Sequence, residues 1–313
     1  MFSRRIAMAA LIAMLTSALT VAPAAAAKPT KPTSPPVGER PLTPAEGAAS
    51  ARKIAAAEAY LASGPAQEEE LVPLACFVPN ATSAEVTAGG AVTDDVDPSA
   101  DSSASTDVTI QATCGTPQGI LGVEARDQTT GIYCGPAVGQ VIANYTWALA
   151  SGWNKYTQGR IAGWMSTDIN GGTNAPAMAY GLDRATVGSP RRPAVWSWVV
   201  TYLRDTDGDG AFGDQLHDYV RANVSGSKMP LAIPVKPYDP YSANHLSSWA
   251  KPVASPGHWI AAYGWVGLWN GTDYPRLYYT DSSRDEGGST GKFWDPMRRI
   301  AALIMEHTQR LVW

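Results

Sequence analysis

Cys134 lies where the sequence predicts the start of a helix. Apolar residues follow it at positions 138, 141, 142, 145 and 149, which is the spacing of one buried helix face. Gly135 and Pro136 suit the first turn, where a missing backbone N–H costs nothing. The free N–H groups and the dipole at a helix N-terminus favour a thiolate over a thiol. Cys134 is therefore a candidate nucleophile, although a buried structural cysteine or a disulfide to Cys114 also fits this pattern.

Acyl transfer by a thiolate also needs a base and a group that orients the base. The chain has four histidines, and His258 opens an apolar strand rich in aromatic residues. A turn signal at Asn270 and Gly271 separates this strand from a second one that ends on Asp281. A hairpin folded about that turn would set His258 and Asp281 opposite each other across the two strands. His245, in a loop of Pro, Tyr and Ser, is the alternative base.

Gln128 supplies the remaining part of such a site. It lies six residues before Cys134, so its side-chain amide could turn back beside the Cys134 N–H. Two donors placed in this way would form an oxyanion hole for a tetrahedral intermediate.

These motifs resemble the papain-like superfamily, and more narrowly the peptidase domain of bacteriocin exporters that cut after double-glycine leaders. The residues that carry the similarity are Gln128, Cys134-Gly135-Pro136-Ala137, Gly257-His258-Trp259 and Tyr279-Thr280-Asp281. The similarity also includes residues 159–165 and the turn at 171–174, and it covers roughly residues 119–281, about half of the chain. The exporters' membrane domain and ATP-binding cassette are not recognisable, so leader processing during export is not carried over.

The resemblance implies an α+β papain-like cysteine peptidase fold, in which a helical half packs on an antiparallel sheet. It implies that Cys134 is the nucleophile and that His258 is the general base and acid. Asp281 would then orient His258, and Gln128 would donate to the oxyanion. No cofactor is required for this chemistry.

The predicted function is cleavage of a peptide or amide bond in a peptide or protein substrate, through an acyl-enzyme. Two alternatives stay open. An acyltransferase of the transglutaminase type would use the same residues and resolve the acyl-enzyme with an amine. A non-catalytic exported binding module is favoured by the 11 tryptophans, although aromatic residues at this density more often form a core.

The first 27 residues are predicted to be a secretory signal peptide. Two arginines precede an apolar run at residues 6–21, and small residues suited to signal peptidase follow. This run is shorter than a membrane span and no later stretch approaches one, so the exported chain is expected to lie outside the membrane. The expected location is extracellular, either secreted or associated with the cell wall.

Two further segments are predicted: an N-terminal arm at residues 28–115 and the catalytic domain at residues 116–313. The arm is rich in proline at its start, and residues 54–125 carry only acidic charges. The net charge is −4 and no basic stripe is present, so nucleic acid is not an expected partner. The arm would serve either as a propeptide that covers the cleft or as a tether.

Two local features are predicted within the arm. Thr43, Pro44 and Glu46 form a capping-box pattern that opens an Ala-rich helix reaching about residue 63. The chain has three cysteines, an odd number in an oxidising compartment, and Cys76 and Cys114 could form a disulfide that leaves Cys134 free.

A second candidate site is a calcium loop. Asp205, Asp207 and Asp209 place oxygen ligands at alternate positions before a glycine, as the first half of such a loop does. The twelfth position is Leu216 where a bidentate Glu would be expected, and Asp214 is the nearest substitute. The alternative is an Asp–Gly turn that caps the following helix. Calcium bound there would be structural.

Two more elements complete the predicted domain. Residues 231–235 are expected to add a strand at the edge of the sheet, because Pro234 has no backbone N–H to donate to a ladder. A terminal helix is expected to start at Asp295 and Pro296 and to run through residue 304.

Overall fold

The computed structural model describes residues 40–64, 118–168, 172–204, 212–238, 244–249, 257–267, 275–283 and 288–313. Several sequence predictions fall on the remainder of the chain and stay predictions: the signal peptide at 1–27, most of the acidic arm, the turn at Asn270 and Gly271, the calcium ligands Asp205, Asp207 and Asp209, and the Cys76–Cys114 disulfide. No helix in the described ranges combines the length and the apolar character needed to cross a membrane.

The fold is α+β. Its described elements are α1 (Pro44–Ala62), β1 (Gln118–Ile120), α2 (Cys134–Thr146), α3 (Gln158–Trp164), α4 (Ala175–Thr186), β2 (Val200–Tyr202), α5 (Phe212–Arg221), β3 (Leu231–Val235), β4 (His258–Val266), β5 (Arg276–Asp281), β6 (Gly291–Pro296), α6 (Met297–Met305) and β7 (Arg310–Val312). A π-helical turn, Ala222–Gly226, continues α5.

The described strands form one antiparallel sheet in the order β2-β7-β3-β4-β5-β6. β3 pairs with the first half of β4, and β1 pairs with its second half on the same side. All nine residues of β4 are buried, so this strand lies at the centre of the domain with both faces covered. The predicted α+β class, with helices on an antiparallel sheet, is therefore present.

Helix α2 packs against β4 because one continuous face of it is apolar. Val138, Val141 and Ile142 are each at most 2% exposed, as the spacing predicted. Gly139 allows a close approach of α3, because a Cβ there would lie 2.6 Å from the methyl carbon of Met165. The buried face fixes α2, and with it the residue at which the helix begins.

The prediction of an edge position for residues 231–235 is wrong, because β3 lies between β7 and β4. β7, near the C-terminus, pairs with β3 at Ala232 and Val312 and so covers the side that was expected to be free. Pro234 pairs with Trp259 on the β4 side, and the ladder to β7 does not continue to it, as expected of a residue without an N–H to donate.

The terminal helix begins at Met297, two residues later than predicted. Asp295 belongs to β6 instead, where it pairs with Leu277 of β5. A residue engaged in a strand ladder cannot also take the helical conformation, so the helix starts after Pro296.

The predicted helix in the arm is confirmed as α1, with the Thr43 and Glu46 capping box formed. α1 belongs to the same compact unit as the sheet. Its Ser50 hydroxyl lies 2.7 Å from the hydroxyl of Thr201 on β2, and Nζ of Lys53 lies 3.4 Å from the ring centroid of Trp196. The helix therefore packs at the β2 end of the sheet, several strands away from β4 and β5.

Candidate active site

Cys134 is the first residue of α2, and its thiol is free. The side chain of its N-cap residue, Tyr133, makes no capping hydrogen bond to the first turn. Gly135 lies so close to Thr173 that a Cβ added to the glycine would be 2.5 Å from the threonine Oγ1. The glycine therefore lets the Thr173 side chain lie directly beside the start of the Cys134 helix.

His258 is the first residue of β4 and Asp281 is the last residue of β5. Nε2 of His258 lies 2.7 Å from Oδ1 of Asp281, and the two side chains are 4% and 0% exposed. The Cys134 side chain lies near enough to the His258 ring to contribute to its raised pKa. Because Nε2 faces Asp281, Nδ1 is the ring nitrogen left for Cys134. The three predicted residues are thus brought together in one chain of contacts.

The register of the two strands differs from the predicted one. Ala261 pairs with Thr280, so the ladder, if continued, would set Asp281 opposite Ile260 and not opposite His258. The pairs nearest the turn, such as Val266 with Arg276, already differ from the predicted register by three residues. An extra residue in β4 between Ala262 and Gly264 reduces this difference to two at the His258 end. His258 reaches Asp281 as a diagonal neighbour on the same face of the sheet, which is within range of these side chains.

His258 and Asp281 each stabilise the charged form of the other. Burial alone would lower the pKa of His258, but the charge of Asp281, the hydrogen bond that Asp281 accepts and the nearby Cys134 raise it to about 10. Burial alone would raise the pKa of Asp281, but His258, Ser248 and the Ser283 N–H together lower it. At neutral pH the arrangement is an imidazolium on a carboxylate, and an imidazolium next to a thiol favours the thiolate.

Asp281 has further hydrogen-bond donors that sequence reasoning missed. Ser248 Oγ and Trp249 Nε1 donate to its Oδ2 at 2.6 and 3.1 Å, and the Ser283 N–H donates to Oδ1 at 2.9 Å. The Trp249 ring also contacts His258 edge-on, with ring centroids 5.4 Å apart. Ser248 and Trp249 lie in a loop without periodicity, so no sequence signal connects them to residue 281.

Gln128 lies in a loop whose backbone is held on both sides. Its N–H donates to the carbonyl oxygen of Ser282, next to Asp281, at 2.9 Å. The side chain of Gln158 on α3 accepts from the Thr129 N–H at 2.9 Å and donates to the Asp127 carbonyl at 2.6 Å. Gln128 itself is buried, and its Oε1 has no hydrogen-bond partner within the part of the chain that the structure describes. The loop that leads to Cys134 is therefore fixed against both α3 and the end of β5.

The other predicted candidates lie elsewhere. Nδ1 of His245 contacts the carbonyl oxygen of Leu246 at 3.0 Å, and its ring lies against Tyr238. Asp214 is in the first turn of α5, while the other three predicted calcium ligands are outside the described residues. The described ranges contain no group of three or more His, Cys, Asp or Glu side chains arranged to hold a metal ion.

Comparison with known proteins adds no assignment. No protein-family model matches the chain. No curated protein matches it either. The papain-like resemblance therefore depends on the motifs of the sequence, and a proposal of function must be argued from the geometry of Cys134, His258 and Asp281.

Proposed function

We propose that this protein is a secreted thiol hydrolase of papain-like architecture, a cysteine peptidase or a related amide hydrolase. One observation carries the proposal: a free cysteine at a helix N-terminus contacts a histidine whose other ring nitrogen lies 2.7 Å from a buried carboxylate. A nucleophile, a base and an orienting group in this order are the arrangement that activates a thiol for acyl transfer.

The position of the three residues on the fold supports the same reading. The nucleophile is on a helix, whereas the base and the orienting carboxylate are on neighbouring strands of the sheet. Cys134 is partly exposed, so a substrate carbonyl can reach it. This division of roles agrees with the papain-like resemblance of the motifs.

The chemistry proceeds in two steps. The Cys134 thiolate attacks the carbonyl carbon of the substrate amide, and the negative oxygen is stabilised by the Cys134 N–H and the Gln128 side-chain amide. The C–N bond then breaks as His258 gives its proton to the leaving amine, which leaves a thioester on Cys134. Water attacks the thioester while His258 takes one of its protons. The acid is released, and the thiolate and imidazolium are restored.

The proposal can be tested without knowledge of the natural substrate. A proteome-derived peptide mixture is incubated with the protein, and new peptide termini are identified by mass spectrometry. We expect termini that disappear with Cys134→Ala and with His258→Ala. The matched control is His245→Ala, which removes the alternative base and is expected to leave the products unchanged.

Three other outcomes would reject parts of the proposal. Termini that persist in Cys134→Ala would mean that the cysteine is not the nucleophile. Loss of product in His245→Ala but not in His258→Ala would reverse the assignment of the base. Products that carry an added amine, in place of free acids, would identify an acyltransferase.

A further inference from the structure

Two buried carboxylates meet at one short turn, residues 247–249. Asp281 accepts from Ser248 and Trp249 in this turn, as described above. Asp295 on β6 accepts from the preceding residue of the same turn, from the Ser247 N–H at 2.9 Å and from the Ser247 hydroxyl at 2.6 Å. Both carboxylates are 0% exposed. The 247–249 turn is therefore held between the site and a second anionic group.

Asp295 is also tied to the strand that carries Asp281. The Tyr279 hydroxyl donates to Oδ2 of Asp295 at 2.8 Å and lies 3.4 Å from the Ser248 hydroxyl. Burial, together with the neighbouring charge of Asp295, raises the pKa of Tyr279 well above its usual value, so this hydroxyl keeps its proton and donates. On the other side, Arg299 of α6 donates to Oδ1 of Asp295 at 2.7 Å and balances its charge.

The contacts of Asp295 therefore join four elements: β5, β6, α6 and the 247–249 turn. A buried carboxylate is costly unless all its lone pairs are used, and an apolar side chain would fill the same space at less cost. Unlike an apolar side chain, the carboxylate fixes the orientation of the turn, because it accepts hydrogen bonds from both the backbone and the side chain of Ser247. The next residue, Ser248, then points its hydroxyl at Oδ2 of Asp281.

We propose that Asp295 is a positioning residue for the Cys134 site. It holds the 247–249 turn in place, and Ser248 and Trp249 in turn occupy Oδ2 of Asp281 so that Oδ1 faces His258. This inference rests on the proposed thiol chemistry and extends it to a residue that touches neither the nucleophile nor the base.

The test is the rate at which iodoacetamide alkylates Cys134 from pH 4 to pH 9, followed by peptide mapping so that other cysteines do not contribute. Ser248→Ala and Asp295→Asn are compared with the natural protein. At pH 6 we expect alkylation about tenfold slower in both variants, because a displaced His258 imidazolium stabilises the thiolate less and the rate is proportional to the thiolate fraction. Near pH 9 the rates are expected to converge.

Ser50→Ala is the matched control. It also removes a buried serine hydroxyl with a hydrogen bond of 2.7 Å, but at the α1 end of the sheet. Its pH profile is expected to be that of the natural protein, so loss of a buried hydrogen bond as such is separated from loss of positioning.

Two results would overturn the inference in different ways. If the natural protein is alkylated faster than its unfolded form and both variants keep that profile, Asp295 and Ser248 do not position the site, while the proposed function survives. If native Cys134 reacts no faster than in the unfolded chain, both proposals fail. If Asp295→Asn does not fold, Ser247→Ala is tested in its place, together with Ser248→Ala. Ser247 is exposed, so this change is compatible with folding.

Discussion

Nε1 of Trp259 on β4 donates a hydrogen bond of 2.8 Å to the carbonyl oxygen of Thr173, beside the first turn of the Cys134 helix. Trp259 directly follows His258, so this contact joins the strand that carries the base to the segment that packs on the nucleophile. It is buried, and it fixes the spacing between the helical and the sheet halves at the point where they meet.

Trp259→Phe should therefore both weaken the fold and slow the chemistry at Cys134. The change leaves the buried Thr173 carbonyl without its donor, which costs about 1–3 kcal/mol of unfolding free energy. Urea unfolding measures the stability, and iodoacetamide alkylation at pH 6 measures the site. Trp147→Phe is the control, because Trp147 Nε1 donates to the Ala185 carbonyl at 2.9 Å away from the site. An equal loss of alkylation rate in both variants would contradict a specific role for Trp259.

Asp281→Asn should slow Cys134-dependent cleavage without abolishing it. The amide keeps the shape of the side chain but removes the charge that raises the pKa of His258. We expect a loss of about 100-fold or more, in the range of general acid–base contributions, while Cys134→Ala leaves no product. The measurement is the rate of formation of the new termini. A rate equal to that of the natural protein would show that the carboxylate does not orient the base.

The contribution of His258 to stability should fall as the pH rises from about 6.5 to about 10. Its pKa is raised in the folded protein to about 10, so the folded state holds this proton more tightly than the unfolded state. The resulting stabilisation is fully present below pH 6.5 and is lost as the pH approaches 10. Urea unfolding of the natural protein and of His258→Gln at several pH values measures the difference. A difference that stays constant across this interval would contradict the charged pair.

A second histidine, His217, should make the folded protein less stable at acid pH. Burial lowers the pKa of His217 to about 4, since its ring packs edge-on against Trp265 and its Nε2 lacks a hydrogen-bond partner among the described residues. The unfolded chain therefore binds this proton first, and stability is lost as the pH falls from about 6.5 to about 4. His217→Phe should lose less stability over that interval than the natural protein. His245→Phe is the control, and an equal acid sensitivity of the His217 variant would refute the explanation.

Gly257→Ala should displace His258. A Cβ at position 257 would overlap the His307 ring, so either this ring or the backbone before His258 would have to move. Overpacking of this kind costs about 1–3 kcal/mol, and we expect slower alkylation of Cys134 at pH 6 in addition. Gly122→Ala serves as the control, because a Cβ there meets no atom within 4 Å. An alkylation rate equal to that of the natural protein in the Gly257 variant would mean that the added methyl group is accommodated without moving His258.

Local patterns in the sequence were sufficient for several elements. The capping box at Thr43 and the apolar spacing after Cys134 each predicted a helix, and both helices begin where expected. The two strands that carry His258 and Asp281 were also predicted from runs of apolar residues. These features depend on hydrogen bonds and side chains within a few residues of one another, so a short stretch of sequence contains the necessary information.

Pairing between distant segments could not be read in the same way. The edge position expected for β3 was wrong because β7, which is distant in the sequence, pairs with β3 at Ala232. The register of β4 and β5 differed from the symmetric hairpin because Val266 pairs with Arg276, a pairing that the position of a turn signal does not fix. Proline and turn signals in the sequence do not show which distant strands pair or in what register.

The sequence by itself determined which residue types are available for thiol chemistry and the local elements that carry them, a helix that starts on Cys134 and strands bounded by His258 and Asp281. Only the tertiary structure decided that Ser248 and Trp249 bind Asp281 and that Asp295 holds their turn. The physical reason is that these contacts are made across more than 30 residues of chain. They form only after the apolar faces of α2 and β4 have packed, and no local periodicity encodes them.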